Sequence, residues 1–293
     1  MHNHHTHNID ERRLRWALIL TAGFMVIEVV GGIISGSLAL LADAGHMLTD
    51  SAALGMAWLA ARWSRRPADE LRSYGYHRLQ ILAAFVNGMG FIALVIWICI
   101  EAMARLFTPI TVQGDVMLTV AAVGLLVNLV AFAILRGQHS ENLNVRGAAV
   151  HVLGDLAGSV AAILAAVVIL GTGWTPIDPL LSIFVALLIL RSAWIVVRQS
   201  AHILLEGTPP DMDVALLRRT LTDAIPEIRD LHHVHVWSLT PERRLLTMHV
   251  DTEPSVDQAE TLRRVKEILA DRFGINHSTI QIESERCPDH PRT

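Results

Sequence analysis

Six long apolar stretches fill the first two thirds of the chain, at residues 16–34, 38–62, 79–106, 116–135, 147–170 and 177–197. A hydrocarbon core of about 30 Å needs about 20 helical residues at about 1.5 Å each, a length each stretch reaches or approaches. The pattern predicts a membrane α-helical bundle of six transmembrane helices. From Glu206 the period changes. MDVALLRRTLTDAI has helical spacing, LHHVHVWSL and RLLTMHVDT alternate as strands do, SVDQAETLRRVKEILADRF is amphipathic, and HSTIQIES makes a third strand. That order predicts a small α+β domain with its helices on one face of a sheet. The expected division is a His-rich segment at 1–15, a transmembrane domain at 16–205 and a cytoplasmic domain at 206–293.

Charge orients the bundle. The connections SGS, TPITVQGD and GTGWTPID carry no Lys or Arg, whereas Arg12, Arg13 and Arg15, the run from Arg62 to Arg78, then Arg136, Arg146 and Arg198 mark the opposite side. The excess of positive charge in cytoplasmic loops places both termini in the cytoplasm. Arg105, near the outer end of the third stretch, dissents and is expected to snorkel outward. Residues 16–34 lack the basic lead and small-residue cleavage site of a signal peptide and are expected to stay in place. The chain is 52% hydrophobic and 18% charged, against about 25% charged in a soluble domain. A formal charge of −4, with no basic run among aromatics, argues against a nucleic-acid partner. The two cysteines, Cys99 and Cys287, give no disulfide framework and fit a reducing compartment.

Within the second stretch, HMLTD places His46 and Asp50 four residues apart, on one helical face. HVLGD repeats the spacing with His151 and Asp155 in the fifth. The two helices run antiparallel in this topology, so Asp50 and Asp155 fall at comparable depth, about 15–18 Å from the cytoplasmic ends. An ionisable residue inside the bilayer costs about 2.5–3.5 kcal/mol, so four of them call for a function. Two imidazoles and two carboxylates in a tetrahedron suit zinc, whereas copper favours sulfur ligands and magnesium or calcium all-oxygen cages. Asp43 shares roughly the face of His46 and suits either the ion pathway or a structural hydrogen bond. Glu28, Asn87, Glu101 and Asn128 are expected to bridge helices or line a cavity. Gly31, Gly32 and Gly36 suit close packing or a bend.

LLADAGHMLTD and HVLGD, together with GYHRLQILAAF, NVRGAAVHVLGD and HVWSLTPERRLLTMHV, resemble the cation diffusion facilitator family of divalent-metal/proton antiporters over nearly the whole chain. The resemblance implies a homodimer exporting zinc from the cytoplasm by alternating access, and a ferredoxin- or metallochaperone-like cytoplasmic domain. A histidine at the first position of both pairs matches the zinc-preferring version, with cadmium, cobalt and manganese as further substrates to consider. The short linker RGQHSENLNVRG, in place of a long His-rich loop, points to a bacterial inner membrane. By the same resemblance, His232, His249 and Glu283, with His235 as an alternate, bind zinc in the cytoplasmic domain. Gln281 stands where some members have a further histidine, so Cys287 or His290 could be borrowed. His233, opposite in the alternation, reads as surface. Asp69 and His77, with His277 nearby, make a candidate loop site. Arg78 and Glu206 suit a charged hinge, and the leader MHNHHTHN suits weak zinc capture from a flexible segment.

Zinc requires deprotonated ligands, and an imidazole with a pKa of about 6.5 can change state between cytoplasm and a more acidic exterior, so binding and protonation compete. Protons and zinc are thus the expected substrates, with zinc also a ligand of the cytoplasmic domain and no cofactor. No HExxH occurs to support a metalloenzyme. A membrane-bound zinc sensor that never transports is the remaining alternative.

Overall fold

The computed structural model describes residues 3–135, 143–284 and 287, with side chains described from 16 onward except at 17, 18, 135, 143–151, 153, 154 and 157. Its helices are α1 (Asn3–Ser35), α2 (Leu38–Ser64), α3 (Leu79–Phe107), α4 (Gly114–Leu135), α5 (Leu143–Thr172), α6 (Ile177–Leu204), α7 (Val214–Ala224) and α8 (Gln258–Phe273). The strands are β1 (Ile228–Thr240), β2 (Arg243–Thr252) and β3 (His277–Glu283). Every element read from the pattern is present. The leader differs from expectation: its backbone is helical from Asn3 and runs unbroken into α1. No Gly or Pro interrupts residues 3–22, and extending a helix costs far less than nucleating one.

Three helices, Leu79–Phe107, Gly114–Ile134 and Ile177–Leu204, are long and apolar enough to cross a membrane, and Ile19–Ser35 and Gly158–Thr172 are shorter apolar segments among the described residues. α2 is less apolar because Asp43, His46 and Asp50 sit in its first half.

Backbone contacts divide the chain into two compact units, Met1–Met56 with Val86–Val196, and Ala57–Phe85 with Val197–Thr293. In the first, α2 packs two ways. Leu40 and Met47 join Phe24 of α1, Met117 and Ala121 of α4, and Ala165 of α5. Leu38 and Ala42 join Val95 and Ile98 of α3 and Ala186 and Ile189 of α6. Gly36, at φ 69°, makes the α1–α2 turn in a conformation that costs glycine little.

In the second unit β1 and β2 pair antiparallel, and β3 joins β2 in parallel after the α8 crossover. Leu217 and Leu221 of α7 and Val265 and Leu269 of α8 bury against Val236, Leu246, Met248 and Val250 of the sheet. Asp213 caps α7 by accepting from Ala215 and Leu216, and Asp257 caps α8 by accepting from Ala259 and Glu260. α8 stops at Gly274, whose φ of 65° lets its N–H return to Ala270. β1 is not regular. His232 faces His249 and His235 faces Thr247, so the strand carries an extra residue between them, and His233 takes φ 49°.

α1 approaches α4 through Gly31, where an added Cβ would lie 2.5 Å from the Val120 side chain. Val120 is β-branched and has no flexible end to swing aside. Gly31→Ala is therefore expected to lower the thermal transition of the detergent-purified protein by the equivalent of about 1–3 kcal/mol. Gly23→Ala, which meets nothing within 4 Å, should not lower it. Intrinsic tryptophan fluorescence on heating checks both.

Candidate metal sites

Asp43, His46 and Asp50 of α2, Asn87 and Phe91 of α3 and Asp155 of α5 line one cavity of about 460 Å³, closed on another side by the Phe184–Val196 stretch of α6. His46 Nε2 lies 3.6 Å from Asp50 Oδ2, as one helical turn requires. The Phe91 ring sits 5.6 Å from the His46 ring, tilted by 59°. Asp155 is only 3% exposed. The fold thus gathers three of the four residues of the two HxxxD pairs, while the side chain of His151 lies outside the described residues.

Buried polar side chains also join helices of this unit. Glu28 of α1, fully buried, hydrogen-bonds Asp43. Asp43 thus makes the structural hydrogen bond the sequence allowed, and it also lines the cavity. Asn128 of α4 donates to Ser159 of α5 at 3.3 Å, bridging two helices. Phe91 is an addition the sequence did not flag, because an aromatic in an apolar helix reads as packing.

The second cluster lies at the β1–β2–β3 sheet. Donor atoms of His232, His249, Glu283 and Cys287 all lie within 4.8 Å of one another. The register explains the first three: His232 is opposite His249, whose other neighbour is Gln281, and Glu283 lies two residues further on. Glu283 Oε2 is 3.1 Å from His232 Nε2 and its Oε1 is 2.9 Å from His249 Nδ1. Cys287 Sγ reaches His249 Nδ1 at 3.5 Å. Asp230 holds the other nitrogen of His232 at 3.2 Å, the kind of outer contact that fixes a ring's orientation. Burial pushes the Glu283 carboxyl up, but hydrogen bonds from Cys287 and Gln281 and the neighbouring His249 and His232 outweigh it and hold the group below its ordinary value. Glu283 is therefore a carboxylate at neutral pH, as a cation ligand must be.

Gln281 donates to Glu283 Oε1 at 2.7 Å, so it orients the carboxylate. Two histidines of β1 differ from expectation. His233 turns toward the cluster, its ring 5.5 Å from His232 and 4.9 Å from His249. His235 instead lines a separate hollow with Glu206, Thr208 and Trp237. His290 lies outside the described residues.

The loop candidates are engaged elsewhere. Asp69 accepts from the Tyr76 hydroxyl at 2.7 Å and from the Leu71 and Arg72 amides. The Tyr76 bond, with the Arg72 and Leu71 amides and the Arg72 guanidinium, holds the Asp69 carboxyl below its usual range. His77 Nε2 meets Arg243 Nη1 at 3.1 Å, which makes that nitrogen an acceptor. His277 packs edge-on against Tyr74. Arg78 and Glu206 form the expected ion pair at 3.0 Å.

Residues 14–205 match the model of the cation efflux transmembrane domain, and residues 209–285 that of the cation efflux protein, cytoplasmic domain. The chain belongs to the cation efflux family. It is therefore an integral membrane transporter and not an enzyme. This cation efflux protein is 51% identical to the zinc transporter ZitB of Pectobacterium atrosepticum over 98% of its own length and 90% of that protein's. ZitB of Escherichia coli is 50% identical over 98% and 93% of the two chains. The cadmium, cobalt and zinc/H(+)-K(+) antiporter of Bacillus subtilis is 41% identical over 97% and 93%.

Because Asp69 shapes its own loop, Asp69→Ala is expected to speed tryptic cleavage at Arg65 and Arg72 while leaving the number of zinc ions bound per chain unchanged. Mass spectrometry of timed digests and metal analysis after gel filtration check the two halves.

Proposed function

We propose that this protein exports zinc from the cytoplasm in exchange for protons, by alternating access to a site formed by His46, Asp50, His151 and Asp155. The observation that carries the reading is the single cavity shared by His46, Asp50 and the buried Asp155, in a chain half identical to zinc transporters over nearly its full length. α1 to α6 all span a bacterial inner membrane in this reading, as residues 16–205, with both termini and the 206–293 domain in the cytoplasm. Two copies associate, consistent with the match to a cytoplasmic domain of this family.

The chemistry follows from the ligands. Zinc binds neutral imidazole and ionised carboxylate, so loading from a near-neutral cytoplasm displaces protons, and protonation on the other side releases the metal. Two N and two O donors favour zinc over softer or harder ions. The antiporter of Bacillus subtilis includes cadmium and cobalt in its name, and the same site accommodates them as secondary substrates.

His232, His249, Glu283 and Cys287 form a second, cytoplasmic zinc site, with His233 close by and His235 outside it. Asp69 and His77 are left out because other partners occupy both. A thiolate in the set makes this site measurable apart from the membrane one. Cobalt bound to the intact protein should show a sulfur-to-metal charge-transfer band that disappears in Cys287→Ser and persists in Asp155→Ala.

Sealed proteoliposomes test the function. Zinc uptake accompanied by opposite proton movement is expected of the intact protein, and Asp155→Ala should lower flux at least tenfold at matched reconstitution. Zinc binding without flux in the intact protein would defeat the transporter reading and favour a sensor.

A further inference from the structure

α2 carries half of the proposed transport site, yet its first turn contains no acidic residue to meet its unpaired backbone amides. The charge comes from another helix. Asp178, in the first turn of α6, is 0% exposed. Its Oδ2 accepts from the Leu38 amide at 2.7 Å, and its Oδ1 from the Ala39 amide at 3.1 Å and the Ser37 hydroxyl at 2.6 Å. Ser37 Oγ in turn accepts from the Leu40 amide at 3.3 Å, and Ser37 O from Leu41 at 3.4 Å. The Leu38, Ala39 and Leu40 amides, which the helix start leaves without an intrahelical partner, are thus satisfied, two of them by a carboxylate 140 and 139 residues away.

Arg105 of α3 completes the arrangement. Its Nη1 donates to Gly36 O at 2.6 Å and lies 3.9 Å from Asp178 Oδ2, while its Nε donates to Glu101 at 2.8 Å. Its side chain is 12% exposed, so it does not snorkel into solvent as the sequence suggested. A carboxylate buried among apolar helices is costly unless paired, and here it receives three hydrogen bonds, a counter-ion and the positive end of the α2 dipole.

We infer that Asp178 is a positioning residue for metal transport: with Arg105 it clamps the start of α2 to α6 and α3, and so fixes the depth and rotation at which α2 presents His46 and Asp50. The inference rests on the transport reading above. His46 lies eight residues along α2 from Leu38, about two turns, so a loosened start allows the helix to rotate or slide and carries both ligands with it. Asp178 itself does not line the cavity. Its effect passes through the helix.

The test uses the full chain in detergent and in proteoliposomes, with hydrogen–deuterium exchange and zinc flux measured on the same preparations. Asp178→Ala is expected to raise the exchange of α2 peptides covering Leu38–Leu41 at least tenfold, leave peptides of β2 and α8 unchanged, raise the zinc KM and lower maximal flux at least tenfold. Asp178→Asn, which keeps an acceptor oxygen, should recover part of both the protection and the KM. The paired change Asp178→Asn with Arg105→Gln should recover more flux than Asp178→Asn alone, because no buried guanidinium then loses its anion. Ser37→Ala, which removes one of the three bonds and frees the Leu40 amide, should give a smaller change of the same kind, and it decides the matter if Asp178→Ala does not fold.

Wild-type exchange at Leu38–Leu41, or wild-type KM and flux in a folded Asp178→Ala protein, would overturn the inference. Faster exchange spread evenly over the whole chain would also overturn it, since that marks loss of folding rather than a local clamp. Absence of zinc flux in the wild type would instead strike the transport reading, while the exchange measurement would still judge the clamp.

Discussion

An ionisable group in an apolar helix must find a partner or a watery cavity, and the membrane unit is organised by that requirement. Glu28 and Asp43 bond each other between α1 and α2. Asp178 takes the start of α2, and Arg105 bonds the turn before it. His46, Asp50 and Asp155 meet at the cavity. The buried charges serve either to join helices or to face the cavity, and α2 takes part in every group.

That position suits α2 to its task. It shares one apolar cluster with α1, α4 and α5 and another with α3 and α6, so its side chains register the relation between the two groups of helices. Close approach at Gly31 fixes α1 against α4, and the Asp178–Arg105 contacts fix α2 against α6 and α3. A His–Asp pair on a helix held in this way has a defined place, as the proposed transport site would need.

The C-terminal domain solves a similar problem with a sheet. Three strands bring His232, His249 and Glu283 into adjacent positions at one end, and Asp230 and Gln281 orient two of them. Parallel pairing of β2 with β3 needs the α8 crossover, whose Asp257 cap and Gly274 stop set its length. The cluster therefore depends on strand register, and a slip of one residue would turn its side chains to the opposite face.

The sequence by itself determined the elements, because helix and strand periods are local properties: the helices and strands of the described residues were legible, as was the HxxxD spacing that puts His46 and Asp50 on one face. It also determined the likeness to cation efflux proteins, since GYHRLQILAAF and HVLGD are contiguous strings. Only the tertiary structure decided where side chains go when neighbours compete for them. Arg105 was free to snorkel in sequence, but a buried Asp178 on a distant helix and the Gly36 carbonyl hold it inside. Asp69 resembled a ligand until Tyr76 claimed its carboxylate. His233, at φ 49° in the β1 bulge, turns to the cluster, while His235 pairs with Thr247 rather than His249 and sits further along the strand; simple alternation assumes a regular ladder and foresees neither.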